Sequence, residues 1–260
     1  LFLFNQPETF TMTHRLLPSF RAIALVSSLL MLGTAQAHHV WIEQNAQGAQ
    51  LFFGEFGENM REVSPGLLDK FGGPVAQRVS AKGSERLQVS KTTTGFGLSA
   101  RAGKGESLVA EDPAYPSFEV KQGDKTGRGI YVPAARLVTD LSKQEPKLTL
   151  DLVPTGVSGK DGAEFQAFYK GQPLPKAKVE VITPSGWSQA HTTDEQGKIK
   201  TTLPWNGTYV LEMSHNDRTG GERAGEKYER ASYVTSLTIS QSGGLKALPA
   251  PAAAAPGKMN

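Results

Sequence analysis

Glu164-Phe165-Gln166-Ala167-Phe168-Tyr169 alternates polar and apolar side chains, Lys170-Gly171-Gln172-Pro173-Leu174-Pro175 breaks the pattern, and Lys178-Val179-Glu180-Val181-Ile182 resumes it. A period of two sends successive side chains to opposite faces, so each run reads as a strand with one buried face. The same grammar continues downstream. Thr193-Asp194-Glu195-Gln196-Gly197-Lys198 is a turn, Leu203-Pro204-Trp205-Asn206-Gly207 leads into the strand Thr208 to Met213, and Tyr233 to Ile239 closes the set. Short strands divided by Gly and Pro turns predict a β-sandwich.

Upstream, Val40-Trp41-Ile42-Glu43 and Gln50-Leu51-Phe52-Phe53 flank Asn45-Ala46-Gln47-Gly48 and predict a hairpin. Ser64-Pro65-Gly66-Leu67-Leu68-Asp69-Lys70 predicts a short helix with its Leu pair inward. Val79 to Leu108 reads as antiparallel strands with frequent turns, and Glu111 to Pro133 as a long irregular loop ahead of a strand at Ile130-Tyr131-Val132. Leu148 to Pro154 reads as a strand stopped by its proline, and Gly156 to Gly162 as a linker. The expected class is therefore all-β, with two sandwich domains over residues 38–157 and 158–242. An Ala/Pro-rich tail over 243–260 is expected to be unstructured.

The first 37 residues have a different composition. Met12 is the first methionine and the expected start, followed by the basic residues His14, Arg15 and Arg21. Ala22 to Gly33 is an apolar run of 12 residues, short of the roughly 20 a spanning helix needs. Ala35-Gln36-Ala37 then supplies the small-x-small pattern of a signal-peptidase site. Cleavage after Ala37 would export the chain to the periplasm and make His38 its first residue. With Arg15, Arg21 and Glu8 gone, 26 basic and 24 acidic residues remain of 28 and 25. They are interspersed, without the clustered basic stripe that nucleic acid selects, and the remaining chain carries no transmembrane segment and is expected to be a monomer.

The chain has no cysteine, which excludes disulfides, thiolate metal sites and thiol catalysis. A transition-metal site must use imidazole, amine or carboxylate, and four histidines follow the expected cleavage site: His38, His39, His191 and His215. A terminal histidine offers its α-amine and its imidazole, and both lose their protons to a divalent metal near neutral pH. With one more imidazole this is a histidine brace. Trp41, two residues beyond His39, is large enough to fasten the strand that carries the terminus. His215 ends a strand level with Tyr209, Leu211 and Met213 and is the candidate second ligand. His191 looks solvated beside a turn. Glu43, Glu55, Glu58 and Asp217 are candidate oxygen ligands. No Gly-x-Ser-x-Gly elbow, phosphate-binding loop or His-Glu-x-x-His helix is present.

His38-His39-Val40-Trp41-Ile42-Glu43, Leu51-Phe52-Phe53-Gly54-Glu55-Phe56-Gly57-Glu58-Asn59 and Phe168-Tyr169-Lys170-Gly171-Gln172-Pro173-Leu174, with Thr193 to Gly197, Gly207-Thr208-Tyr209 and His215, together resemble a known family. It is the family of exported proteins described as periplasmic components of cobalt or nickel transport systems, otherwise called a domain of unknown function. The second half is also similar to transthyretin-like and carboxypeptidase-regulatory-like sandwiches. The resemblance implies a periplasmic protein that binds nickel, cobalt or copper and works beside an inner-membrane permease or an outer-membrane receptor, with His38, His39 and His215 as metal residues. It departs from the family at Gly54 to Glu58, where some relatives carry a histidine and this chain has none. The expected role is that of a binder rather than an enzyme. The rivals are a copper enzyme of the brace type, resembling lytic polysaccharide monooxygenases, and a metal-free interaction module.

Overall fold

A computed structural model describes residues 38–122 and 125–257; the expected start, leader and cleavage site lie outside them. Strands dominate from the first described residues. The first half contains β1 (His39–Asn45), β2 (Gly48–Glu55), β3 (Met60–Arg61), β4 (Val75–Ser80), β5 (Gly83–Leu87), β6 (Val89–Lys91) and β7 (Phe96–Leu98). It continues through β8 (Ser107–Glu111), β9 (Phe118–Gln122), β10 (Lys125–Val138) and β11 (Leu150–Gly159). The second half contains β12 (Gly162–Tyr169), β13 (Gln172–Pro173), β14 (Lys178–Ile182), β15 (Ser188–Thr192) and β16 (Lys198–Thr201). It ends with β17 (Gly207–Asp217), β18 (Gly221–Arg223), β19 (Glu226–Tyr228) and β20 (Arg230–Gln241).

A nine-stranded sheet in the order β15-β14-β17-β20-β10-β8-β4-β5, with β9 on β10, is the centre of the molecule. Its β10–β20 pairing is parallel, whereas β17–β20, β14–β17 and β10–β8 are antiparallel. The alternation along β10 shows what each face does. Ile130 and Val132 join one core with Leu150, Leu152, Phe165 and Ala167 of the four-stranded sheet β11-β12-β13, to which β16 adds through β12. Ala135 and Leu137, of opposite parity, join a second core with Val40, Ile42, Leu51 and Phe53 of the five-stranded sheet β1-β2-β7-β6 and β3. The chain is thus all-β, with a central sheet packed on both faces. Phe165, Val179 and Val181 are all fully buried. Phe165→Ala would cost about 3–5 kcal/mol by lost burial and cavity formation.

The boundary expected near residues 157–158 falls inside β11, and the central sheet takes strands from both sides of it. Residues Gln36–Asn260 accordingly cluster as one compact unit. β11 also runs past Pro154, where a proline stop was expected, because the β11–β12 register shifts between Pro154 and Ser158 and the bulge absorbs the missing N–H. The irregular loop expected from Glu111 to Pro133 is largely the β9–β10 hairpin. Its Gly-Arg-Gly run reads as a turn, yet a Cβ on Gly129 would lie 2.6 Å from Phe118 Cζ, so the glycine serves ring packing within a strand. The expected short helix is a single 3-10 turn, Leu67–Lys70, with Leu68 buried.

Among its described residues the Ala/Pro-rich tail forms no strand but touches the body at two isolated bridges, Trp205↔Leu245 and Met60↔Ala254. Among the described residues no helix is long and apolar enough to cross a membrane.

Candidate metal centre

The start of β1 is held from several sides. β1 and β2 pair from His39↔Gly54 to Asn45↔Gly48, leaving Ala46 and Gln47 as the tip of the expected hairpin. Trp41 is fully buried against Phe56 and Val210. Its Nε1 donates to Glu43 Oε1 at 2.7 Å, and Arg61 donates to the same oxygen at 2.8 Å. Glu43 is therefore committed to Trp41 and Arg61. Tyr131 of β10 donates its hydroxyl to the His38 carbonyl at 2.7 Å, and Ser236 of β20 donates to the Val40 carbonyl at 2.6 Å. These bonds tie the strand that follows His38 to the central sheet.

Gly54 makes the next element possible. Its φ is 147°, and a Cβ there would sit 2.4 Å from the Met60 carbonyl oxygen, so only glycine lets β3 return alongside β2. Asn59, in the left-handed conformation at φ 51°, turns the chain back. β3 then pairs Arg61 with Gly54, and the Glu62 amide donates to the Phe53 carbonyl at 2.8 Å. The reversal delivers the Glu62 carboxylate, itself fully buried, to the His38 ring.

His38 lies between two carboxylates. Its Nε2 is 2.6 Å from Glu62 Oε1 and its Nδ1 is 3.3 Å from Glu55 Oε1, with the Phe53 ring 5.1 Å away. Each ring nitrogen of His38 therefore faces a carboxylate oxygen. Glu55 Oε1 is buried and has no hydrogen-bond partner among the described residues. The 3.3 Å contact between Nδ1 and that oxygen is completed by a proton, on the ring or on the carboxyl, or by a cation. Burial pushes the Glu55 carboxyl up to about 7, opposed by His38 and reinforced by Glu58 and Glu62.

His39 points to the other side of β1, where its Nδ1 lies 3.2 Å from Glu212 Oε2 on β17. Burial, with Glu55 and Glu180 nearby, pushes Glu212 up to about 8. A cavity of about 340 Å³ adjoins this pair and is lined also by Glu55, Glu58 and Glu180. The cavity wall thus gathers four carboxyl groups, of which burial holds Glu55 and Glu212 well above the ordinary carboxylate range.

His215 is elsewhere. It shares β17 with Glu212, but with opposite parity, so it belongs to the face that packs on the four-stranded sheet. Its ring centroid is 4.4 Å from that of Tyr169, whose hydroxyl donates to Asp217 at 2.5 Å. Lys170 donates to the same Asp217 oxygen at 3.1 Å. His38 and His39 thus lie on one side of the central sheet, and His215 and Asp217 on the other. His191, on the edge strand β15, is half-buried rather than solvated, and burial lowers its pKa.

Glu55 and Glu58 were legible as candidates because they sit in a Gly-rich block after an aromatic strand. Glu62 and Glu212 were not. Glu212 occupies the polar place in Leu211-Glu212-Met213, as a solvent-facing residue would, and Glu62 reaches His38 only because the chain reverses at Asn59. Among the described residues no group of three or more His, Asp or Glu side chains forms a ready metal cage. The donor set considered for His38 includes its α-nitrogen, which in the unprocessed sequence is bound in the Ala37–His38 peptide. The remaining parts, an imidazole nitrogen and the buried carboxylate oxygen 3.3 Å from it, are donors of the kind a divalent transition ion takes.

No curated protein matches the chain. Residues 35–217 match the model of a family described as Domain of unknown function (DUF4198). On that match, which spans more than half of its length, the chain belongs to the DUF4198 family.

Proposed function

We propose that this is a periplasmic protein that binds nickel, cobalt or copper through His38 once signal cleavage frees its α-amine, and that it supports metal uptake or homeostasis beside a permease or receptor. The observation that carries the reading is His38 itself. Its Nε2 is occupied by buried Glu62, its Nδ1 lies 3.3 Å from the buried Oε1 of Glu55, and it directly follows Ala35-Gln36-Ala37. The amine and Nδ1 of His38 would hold the ion, with Glu55 as the oxygen donor. Glu62 holds the ring in place, as outer partners of metal-bound imidazoles do. His39 and Glu212 form a second pair on the wall of the adjoining cavity. These are the parts of a carrier.

Calorimetric titration of Cu(II), Ni(II) and Co(II) into protein beginning at His38, beside the same protein with one extra residue before it, tests the proposal. One-to-one binding weakened at least about 100-fold by the extension is expected, because the amine then becomes an amide and the chelate is lost. Equal binding by both forms would remove His38 as a terminal ligand, and no binding by either would sink the metal reading.

A further inference from the structure

Glu62 has a second partner that the chain supplies from its far end. The Gly257 amide donates to both Glu62 oxygens, at 3.0 and 3.1 Å, so the carboxylate that orients His38 is held from its other side by the tail. The contact has support along the segment. Asn59 donates its side-chain amide to the Pro251 carbonyl at 3.0 Å, and Ala254 bridges in parallel to Met60. The fit at Gly257 is close, since a Cβ there would lie 2.8 Å from Glu62 Oε1 and 3.0 Å from Leu67 Cδ1. A segment that contacts Asn59, Met60 and Glu62 in succession follows the stretch of chain that delivers Glu62 to the site.

We infer that Glu62 is the positioning residue of the His38 site and that Pro251 to Gly257 is its latch, so that docking of the tail governs how firmly a metal is held. The inference rests on the proposed metal reading. Its chemistry is specific. A fully buried carboxylate needs donors to its oxygens, and here those donors are His38 Nε2 and the Gly257 amide. With the tail gone, Glu62 is opened to water and freed to turn, and the imidazole loses the carboxylate that holds its ring in place. Release of the tail would then release the ion, which a carrier handing its cargo to a partner requires.

The experiment uses protein beginning at His38 in four forms: full length, ending at Ala250, Gly257→Pro, and Glu62→Ala. Gly257→Pro removes the amide donor and also sets a ring against Glu62 and Leu67, so it undoes the last contact of the strap while keeping the residues before it. Cu(II) is the probe; affinity, release to a chelator and the electron paramagnetic resonance spectrum are recorded, with thermal unfolding to confirm that each form is folded. Glu62→Ala should bind 10–100-fold more weakly, the usual effect of removing a hydrogen-bond partner of a metal-bound imidazole. It should also show an altered nitrogen signature, and Glu62→Gln should recover part of the affinity. The truncation and Gly257→Pro should release Cu(II) about tenfold faster at unchanged stoichiometry. In metal-free full-length protein the Gly257 amide should exchange with solvent more slowly than that of Ala255. Equal release rates in all forms with binding retained, or an unprotected Gly257 amide, would overturn the latch and leave the His38 reading standing. An unchanged spectrum and affinity in Glu62→Ala would overturn its positioning role, and loss of binding in every form would overturn both readings.

Discussion

Two of the places where the molecule buries ionisable groups are treated in opposite ways. On one side Asp151 is fully buried and fully answered. Arg136 grips it with Nε at 3.0 Å and Nη2 at 2.6 Å, and the amides of Lys147 and Leu148 donate to its Oδ2 at 2.7 and 3.1 Å. Arg136 is itself completed by the Ser107 hydroxyl and the Glu145 carbonyl. Around His38 the balance is lopsided. Glu55, Glu62 and Glu212 meet two imidazoles and one backbone amide, with no Lys or Arg bonded to any of them among the described residues. A closed network is finished by folding, whereas carboxyl groups without matching Lys or Arg are left to be balanced by a proton or a cation.

The largest expected effect tests the finished side. Arg136→Met leaves Asp151 buried without its cation, and stability should fall by about 3–5 kcal/mol. Chemical denaturation measures this, and Cu(II) affinity, taken where the variant is still folded, should match the parent. A loss below about 1 kcal/mol would mean that the backbone amides alone answer Asp151.

The next effect is on the unfinished side. Glu55→Gln keeps the shape and removes the charge of the oxygen facing His38 Nδ1. Metal affinity should fall roughly 10–100-fold, which is about 1.4–2.8 kcal/mol, while the metal-free variant should unfold no earlier than the parent. Titration calorimetry and thermal unfolding read the two quantities separately. Unchanged affinity would exclude Glu55 as a ligand.

The contrast explains what could be read from the sequence. The alternation in Glu164 to Tyr169 and Lys178 to Ile182 exposed strands and faces, because burial in a sheet is a local, period-two signal. It could not show that both halves share one central sheet, since that depends on β10 pairing with β20 roughly a hundred residues away. His38 stood out in the sequence because it follows a small-x-small pattern. Glu62 and Gly257 did not, because their meeting depends on a left-handed Asn59 and a tail without strands. His215 looked as eligible as His39; only the parity of β17 relative to Glu212 separates them.

The titration of Glu212 carries a smaller effect. Its carboxyl is raised from 4.5 to about 8 in the folded protein, so the native state binds a proton that the unfolded chain has already released. The associated stability is present below pH 4.5 and is lost as pH rises through 8. Metal-free protein should therefore weaken between these limits, by on the order of 1–2 kcal/mol after allowance for relaxation around the group. Glu212→Gln should flatten that slope, matching the parent near pH 5 and exceeding it above pH 8. Parallel stability profiles for the two proteins would show that Glu212 is ionised at all these pH values.

His215→Ala should do least, and it asks whether the side of the central sheet decides function. Placed against Tyr169 on the face away from His38, this imidazole should contribute ring packing worth about 0.5–1.5 kcal/mol and nothing to metal binding. Affinity within twofold of the parent, beside a small drop in thermal stability, is the expected pair of results. A loss of affinity comparable to that of Glu55→Gln would require the ion to be reached from both faces of the sheet. That would place the metal elsewhere than beside His38 Nδ1, because a buried sheet layer leaves no path by which one ion touches both rings.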